Sequence, residues 1–97
     1  MAVKLLIPAA LRGFTERNPE LELIGATVGE ILQSLVTKYP DIKNHLYNEN
    51  GELRSFVNIF LGEFNIKDIE GLKTKVKDGD TLMIVPAIAG GGVFLPL

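Results

Sequence analysis

Between Thr27 and Pro40 the hydrophobic pattern of this chain changes period, and that change constrains the fold more than any other feature. Val28, Ile31, Leu32, Leu35, Val36 and Tyr39 recur at the spacing of one helix face. Thr27 can accept from the backbone N–H of Glu30 while Glu30 reaches back, the reciprocal capping box that starts a helix. Pro40 stops it, because proline has no amide donor and disfavours helical geometry in the residue before it. A helix with one apolar stripe needs a sheet to cover that stripe.

The rest of the chain reads as strand and turn. Residues 3–7 form a β-rich run with Val3, Leu5 and Ile7 on one face, closed by Pro8. Residues 12–19 have turn composition, and Leu21 and Leu23 then alternate with Glu20 and Glu22, which predicts a hairpin of two strands. After the helix, residues 41–46 predict a short helical turn and residues 48–51 a loop. Residues 56–61 predict a third strand with Val57, Ile59 and Leu61 on one face and Phe56, Asn58 and Phe60 on the other. Gly62, Asn65 and Gly71 interrupt the next stretch, in which residues 66–69 predict a short edge strand. The turn Asp78-Gly79-Asp80 leads into a strongly β-forming run at residues 81–85.

Two strands, one long helix and then several strands with short connections predict an α+β layer architecture. The plan is a β-grasp, or ubiquitin-like, fold: a mixed sheet wrapped over one main helix, with a flexible C-terminal arm. In that plan the first and last strands lie side by side at the centre, and the chain leaves the sheet from there. The division expected is a β-grasp domain over residues 1–86, an extended functional tail over 87–91 and a further segment over 92–97. Extended, residues 87–91 would reach roughly 17 Å at about 3.3 Å per residue.

Composition narrows the function classes. The 97 residues suit one small domain, and a formal charge of −2 gives no basic footprint for nucleic acid. The chain has no cysteine, so thiolate metal sites, disulfides and a cysteine nucleophile are excluded. His45 is the single histidine. Catalytic and metal sites need several partners, so it reads as a surface or turn residue, and no metal site is expected. No stretch approaches the roughly 20 apolar residues that cross a bilayer, and a cytoplasmic protein without a membrane partner is expected.

The tail carries the feature with chemical meaning. Val85, Pro86, Ala87, Ile88 and Ala89 run into Gly90, Gly91 and Gly92, and then into Val93, Phe94, Leu95, Pro96 and Leu97. Glycine has no Cβ, so a glycine pair lets bare main chain enter a channel too narrow for side chains, which suits chemistry on a carboxylate. The competing reading is a frayed end, where three glycines carry no function.

From end to end, residues 1–91, the chain resembles the bacterial ubiquitin-like sulfur carriers of the MoaD and ThiS type. The resemblance is carried by the opening Val3-Lys4-Leu5-Leu6-Ile7-Pro8 with Leu11-Arg12 after it, by Thr27-Val28-Gly29-Glu30, and by Leu53-Arg54-Ser55-Phe56-Val57-Asn58-Ile59-Phe60. It continues through Val76-Lys77-Asp78-Gly79-Asp80-Thr81 and ends on Ile84-Val85-Pro86-Ala87-Ile88-Ala89-Gly90-Gly91. The length and the Arg54-Ser55-Phe56-Val57-Asn58 segment look most like the carriers that feed cysteine or homocysteine biosynthesis.

The resemblance implies a protein co-substrate rather than an enzyme. A ubiquitin-activating-type adenylyltransferase would adenylate Gly91 using ATP and magnesium, and a sulfur donor protein would displace AMP to leave a thiocarboxylate. Gly90 and Ala89 would supply the slim tail, and no cofactor would be bound by the carrier itself. The acceptor would be held by a pyridoxal-phosphate sulfhydrylase or a similar enzyme. The alternatives are the small subunit of molybdopterin synthase, a ubiquitin-like modifier that ends as an isopeptide on lysines, and a structural interaction domain.

The sequence departs from the family pattern after Gly91. Such chains end at the second glycine, whereas here residues 92–97 cap the position to be activated. Either a protease removes that extension or the chain is not a working carrier; the resemblance implies removal by a zinc-dependent JAMM-type peptidase, with the cut between Gly91 and Gly92 chosen by alignment with the family ending and a cut after Gly92 left open. A docking patch for the activating enzyme is also expected, formed by Phe56, Phe60, Met83 and Val85 with a charged contact from Arg54. The alternative for these apolar side chains is packing under the loop at residues 46–53 or scattered surface area. The charges at Lys73, Lys75, Lys77, Asp78 and Asp80 are expected to solvate an edge and a turn.

Overall fold

A computed structural model describes residues 2–86, so the tail at 87–91 and the extension at 92–97 lie outside the described residues. Strand β1 (Ala2–Leu6) is followed by a 3₁₀ turn (Ala9–Phe14), strand β2 (Glu20–Ile24) and helix α1 (Val28–Lys38). A second 3₁₀ turn (Pro40–Ile42) and helix α2 (Lys43–Leu46) precede strands β3 (Val57–Leu61) and β4 (Phe64–Asn65). Two further 3₁₀ turns (Ile66–Asp68 and Gly71–Lys73) lead to strand β5 (Thr81–Pro86). The five strands form one sheet in the order β2-β1-β5-β3-β4. β1 pairs antiparallel with β2 and parallel with β5, and β5 pairs antiparallel with β3. This is the β-grasp arrangement, with the first and last strands adjacent at the centre.

Helix α1 forms where the apolar period predicts it. The Glu30 amide donates to Thr27 Oγ1 at 3.2 Å, and Glu30 Oε1 accepts from the Ala26 amide at 2.8 Å. The carboxylate thus reaches one residue beyond the N-cap, and two amide donors near the helix start are satisfied together. The close approach of Glu30 requires Gly25: a Cβ there would stand 2.9 Å from Glu30 Cβ and 3.0 Å from the Ile31 amide nitrogen. Segment 74–76 closes over the same end, with the Val28 amide donating to Thr74 O at 2.9 Å and the Val76 amide donating to Ala26 O at 3.0 Å. At the other end the Tyr39 amide donates to Leu35 O, and Pro40 begins the next turn as expected.

The core lies between α1 and one face of the sheet. Val28, Ile31, Leu32 and Leu35 are fully buried, as are Val3, Leu5, Ile59 and Leu82 opposite them. Each such side chain contributes roughly 1.5–3 kcal/mol of gross hydrophobic stabilisation, most of it offset by the entropy of ordering the chain. The remaining wall comes from Ile42, Leu46 and Ile66.

The edge of the sheet differs from the expectation. In place of an edge strand at residues 66–69, the strand is Phe64–Asn65 and Ile66–Asp68 is a 3₁₀ turn. Asn65 Oδ1 accepts from the Lys67 amide at 3.0 Å, which bends the backbone and turns Ile66 into the core. The turn composition at 12–19 also understates its surroundings, because a 3₁₀ turn over Ala9–Phe14 opens that stretch and buries Leu11. Asp78 and Asp80 do more than solvate a turn. Asp78 Oδ1 accepts from the Ala2 amide at 3.0 Å and Asp80 Oδ2 from the Lys77 amide at 2.8 Å. Gly79, at φ +89°, donates its amide to Ala2 O. The turn therefore ties the start of β1 to the start of β5.

Cap and core should differ in measured stability. Urea unfolding of Ile31→Ala should show a loss of about 2–5 kcal/mol, and of Thr27→Ala about 1 kcal/mol. Equal small losses at both positions would contradict the packing of α1 described here.

Candidate functional site

Alternation along the strands gives the sheet a second face, turned away from α1. Register places Leu6 beside Met83 and Met83 beside Phe60, so these three side chains form one row across β1, β5 and β3. Glu20, paired with Leu6, and Asn65, paired with Phe60, extend the row to both edge strands. The next row toward the end of β5 pairs Val85 with Asn58. The outer face is thus apolar at its centre and polar at its rim, an arrangement common in protein interfaces. Met83 is 41% exposed in the middle of it, whereas its neighbours Leu82 and Ile84 are buried. Lys4 Nζ and Glu20 Oε2, 3.2 Å apart, bound the patch on the β2 side, and Asn65 Nδ2 donates to Asn58 Oδ1 on the other.

Three of the side chains named from the sequence come together here: Phe60, Met83 and Val85 share the outer face. Phe56 is 41% exposed and lies one residue before β3, at the end of the sheet where Val57 pairs with Pro86. Arg54 is engaged by helix α2: its Nε donates to Asn44 O at 2.9 Å and its amide to Leu46 O at 2.8 Å. His45 is exposed on α2, with its ring centroid 4.3 Å from that of Phe14. Ala89, Gly90, Gly91 and Gly92 lie outside the described residues.

Two contributors escape sequence reasoning, Leu6 and Arg12. Leu6 is hidden between its inward neighbours Leu5 and Ile7, and its outward parity on β1 is the signal that could have found it. Between the ends of β1 and β5 runs a groove of about 420 Å³, whose walls include Leu6, Pro8, Pro19, Met83, Val85 and Pro86. Arg12 also lines it, half-buried, with its Nε donating to Ile7 O at 3.0 Å. The loop that holds Arg12 is tightly wound. The Arg17 amide donates to Arg12 O at 2.7 Å, and Glu16 and Arg17 both take left-handed backbone geometry, at φ 55° and 65°. Non-glycine residues adopt such angles at a cost, so the loop conformation is fixed by its bonds, including Tyr39 OH to Glu16 Oε1.

A second cavity, of about 370 Å³, is lined by Gly29, Gln33 and Val36 of α1 together with Lys43, Tyr47 and Leu72. Burial pushes the Tyr47 phenol above its ordinary pKa, so it stays neutral. Among the described residues no cluster of three His, Cys, Asp or Glu side chains is placed to hold a metal ion, and no helix is long and apolar enough to cross a membrane.

Known proteins resemble this chain in architecture and in sequence. The ThiS family model matches residues 5–91. The sulfur carrier protein CysO of Mycobacterium tuberculosis is 34% identical over 93 residues, an alignment that covers 94% of this chain and all of that protein. The Amycolatopsis orientalis BexX/CysO complex contains a chain that superposes with a TM-score of 0.84 at 40% identity, over 93% of this chain and all of that one. The small archaeal modifier protein 1 of Methanosarcina acetivorans superposes with a TM-score of 0.80 at 38% identity, over 93% of this chain and 96% of that one. The protein described here belongs to the ThiS family.

Proposed function

We propose that this protein is a sulfur carrier whose Gly91, once residues 92–97 have been removed, is activated and converted to a thiocarboxylate. The observation that carries the reading is the exit of the chain. Central strand β5 ends at Pro86, beside the apolar outer face, five residues before the glycine at which the family match stops. A rigid sheet thus presents both a docking surface and the root of a thin arm. Extended, residues 87–91 span roughly 17 Å, enough to carry a terminus into a partner's active site.

The chemistry is dictated by the weakness of a carboxylate as an electrophile. A ubiquitin-activating-type adenylyltransferase therefore joins a Gly91 carboxylate oxygen to the α-phosphorus of ATP, with magnesium, and pyrophosphate leaves. The acyl adenylate has a good leaving group. A sulfide nucleophile supplied by a sulfur donor protein attacks the acyl carbon, AMP departs, and a thiocarboxylate remains. This chain catalyses none of these steps. Gly90 and Gly91 give a backbone narrow enough to enter the partner, and Phe60, Met83, Val85 and Leu6 dock it.

In the sequence the Gly91 carboxyl is bonded to Gly92, so activation requires hydrolysis of that peptide bond first. A zinc-dependent JAMM-type peptidase is the class proposed for it. The similarity to CysO proteins supports cysteine or homocysteine biosynthesis as the destination. There the soft thiocarboxylate sulfur would replace, overall, the activating group of a serine or homoserine derivative held by a pyridoxal-phosphate sulfhydrylase, that group leaving as its anion. Hydrolysis of the bond to the Gly91 acyl carbon would then release the thiol amino acid and restore the carboxylate. A second reading, a ubiquitin-like modifier, is favoured by the similarity to the archaeal modifier protein. It uses the same activation of Gly91 but ends as an isopeptide on lysines.

Intact-mass analysis of the protein purified from its host under sulfur-demanding growth should find chains ending at Gly91, a fraction with sulfur in place of one terminal oxygen. Full-length chain alone would count against the carrier reading, and higher-mass conjugates without thiocarboxylate would favour the modifier. Met83→Asp should raise the KM of the adenylyltransferase for the trimmed carrier by roughly tenfold or more, as loss of an interface centre does. Its unfolding stability should change by no more than about 1 kcal/mol, the span of strand preferences at such positions. An unchanged KM would remove the outer face from the docking surface.

A further inference from the structure

We infer that Arg12 is a recognition residue for the partner that docks on the outer face: its guanidinium takes a carboxylate side chain, an Asp or Glu, that the activating enzyme places in the groove between the ends of β1 and β5. The identity of that partner rests on the sulfur-carrier reading.

Arg12 is fixed at both ends. Its carbonyl accepts from the Thr15 and Arg17 amides at 3.1 and 2.7 Å, and from Thr15 Oγ1 at 3.3 Å. Its Nε donates to Ile7 O at 3.0 Å, just past the end of β1. The guanidinium plane is therefore set before any partner arrives, and little side-chain freedom is left to lose on binding. The bond from the Arg17 amide is made with Glu16 and Arg17 in left-handed geometry, at φ 55° and 65°. Both of those side chains are exposed, so this conformational cost serves the loop around Arg12 and not the core.

The loop holds a cation without a counterion. Among the described residues the terminal N–H groups of Arg12 meet no acceptor, and the ion pair close to the groove joins Lys4 Nζ to Glu20 Oε2 at 3.2 Å. Glu20 also lines the groove, with its charge offset by Lys4. Beside Arg12 the walls are apolar, formed by Leu6, Pro8, Met83 and Val85. A half-buried guanidinium among such walls gains most from an acceptor that brings its own negative charge, and its planar fork matches a carboxylate bidentately. A lone guanidinium with Glu20 on the same groove is poorly suited to a phosphate, whose larger charge calls for several donors. The groove is continuous with the docking face, because Leu6 and Met83 belong to both. A partner lying over the row of Leu6, Met83 and Phe60 thus has Arg12 at its border.

The test is binding of the chain ended at Gly91 to the host's adenylyltransferase, measured by calorimetry without ATP over a range of salt concentrations. Arg12→Gln should raise Kd at least roughly tenfold and flatten its rise with salt. Arg12→Lys should keep the salt dependence without recovering the affinity, because an ammonium lacks the fork. Arg17→Gln, which removes the same charge from the same loop outside the groove, should bind within about threefold of the unaltered chain. A readout that needs no substitution is the ¹⁵N-arginine spectrum of the unaltered chain, in which the Arg12 guanidinium signals should shift and exchange more slowly with water when the enzyme is added. Arg12 variants that bind normally, or Arg12 signals that do not move, would overturn the proposal. So would a dependence on Arg12 that arises only with ATP present, which would assign the guanidinium to a phosphate. Binding weakened by Met83→Asp and untouched by the Arg12 variants would discard the groove contact and keep the docking face, whereas no binding by the unaltered chain would overturn both.

Discussion

Everything in this molecule depends on the parallel pairing of β1 with β5 under helix α1. Parallel neighbours joined by a short turn are impossible, so the chain must travel through the helix, the second hairpin and several turns before β5 can return beside β1. The Asp78 and Gly79 contacts to Ala2 fix where that return begins. From there the register runs Lys4 with Thr81, Leu5 with Leu82 and Leu6 with Met83, which sets the faces of both central strands at once. A slip of one residue would turn Leu82 and Ile84 outward and Met83 and Val85 into the core. The same pairing brings the chain to Pro86 in the middle of the sheet, close beside the apolar outer face.

The two faces of the sheet divide the work. Inward, Val3, Leu5, Val57, Ile59, Leu82 and Ile84 are almost completely buried and hold α1. Outward, the row through Leu6, Met83 and Phe60 is surplus to the core. An apolar row left open at the centre of a sheet, with Lys4, Glu20, Asn58 and Asn65 around it, has the composition of a surface meant to be covered. The partner proposed to cover it is the activating enzyme.

Much of this is legible in the sequence, for physical reasons that differ by element. Helix α1 is readable because cap, period and stop agree: Thr27 and Glu30 open it, six apolar residues repeat, and Pro40 closes it. The central strands are readable because alternation in β3 and β5 is strict. Phe60, Met83 and Val85 can be grouped from parity alone once β3 and β5 are taken as neighbours. The edge misleads because Ile66 and Ile69 are three apart, a spacing that suits a 3₁₀ turn, and because Asn65 bends the backbone through its own side chain. Arg12 in the groove is invisible because its position depends on a loop held in left-handed geometry by Arg12, Thr15 and Asn18 contacts that no periodicity encodes. Arg54 has the look of an available surface charge in the sequence, but its guanidinium is bonded to the Asn44 carbonyl of helix α2.

The central claim is that Gly91 becomes a reactive terminus only after the extension is cut. Pyrophosphate exchange into ATP, catalysed by the host's ubiquitin-activating-type adenylyltransferase, reads that step directly. With the chain ended at Gly91 the account predicts robust exchange, and with the full-length chain none above the enzyme alone. Equal exchange with both chains, or exchange with the full-length chain only, would contradict it.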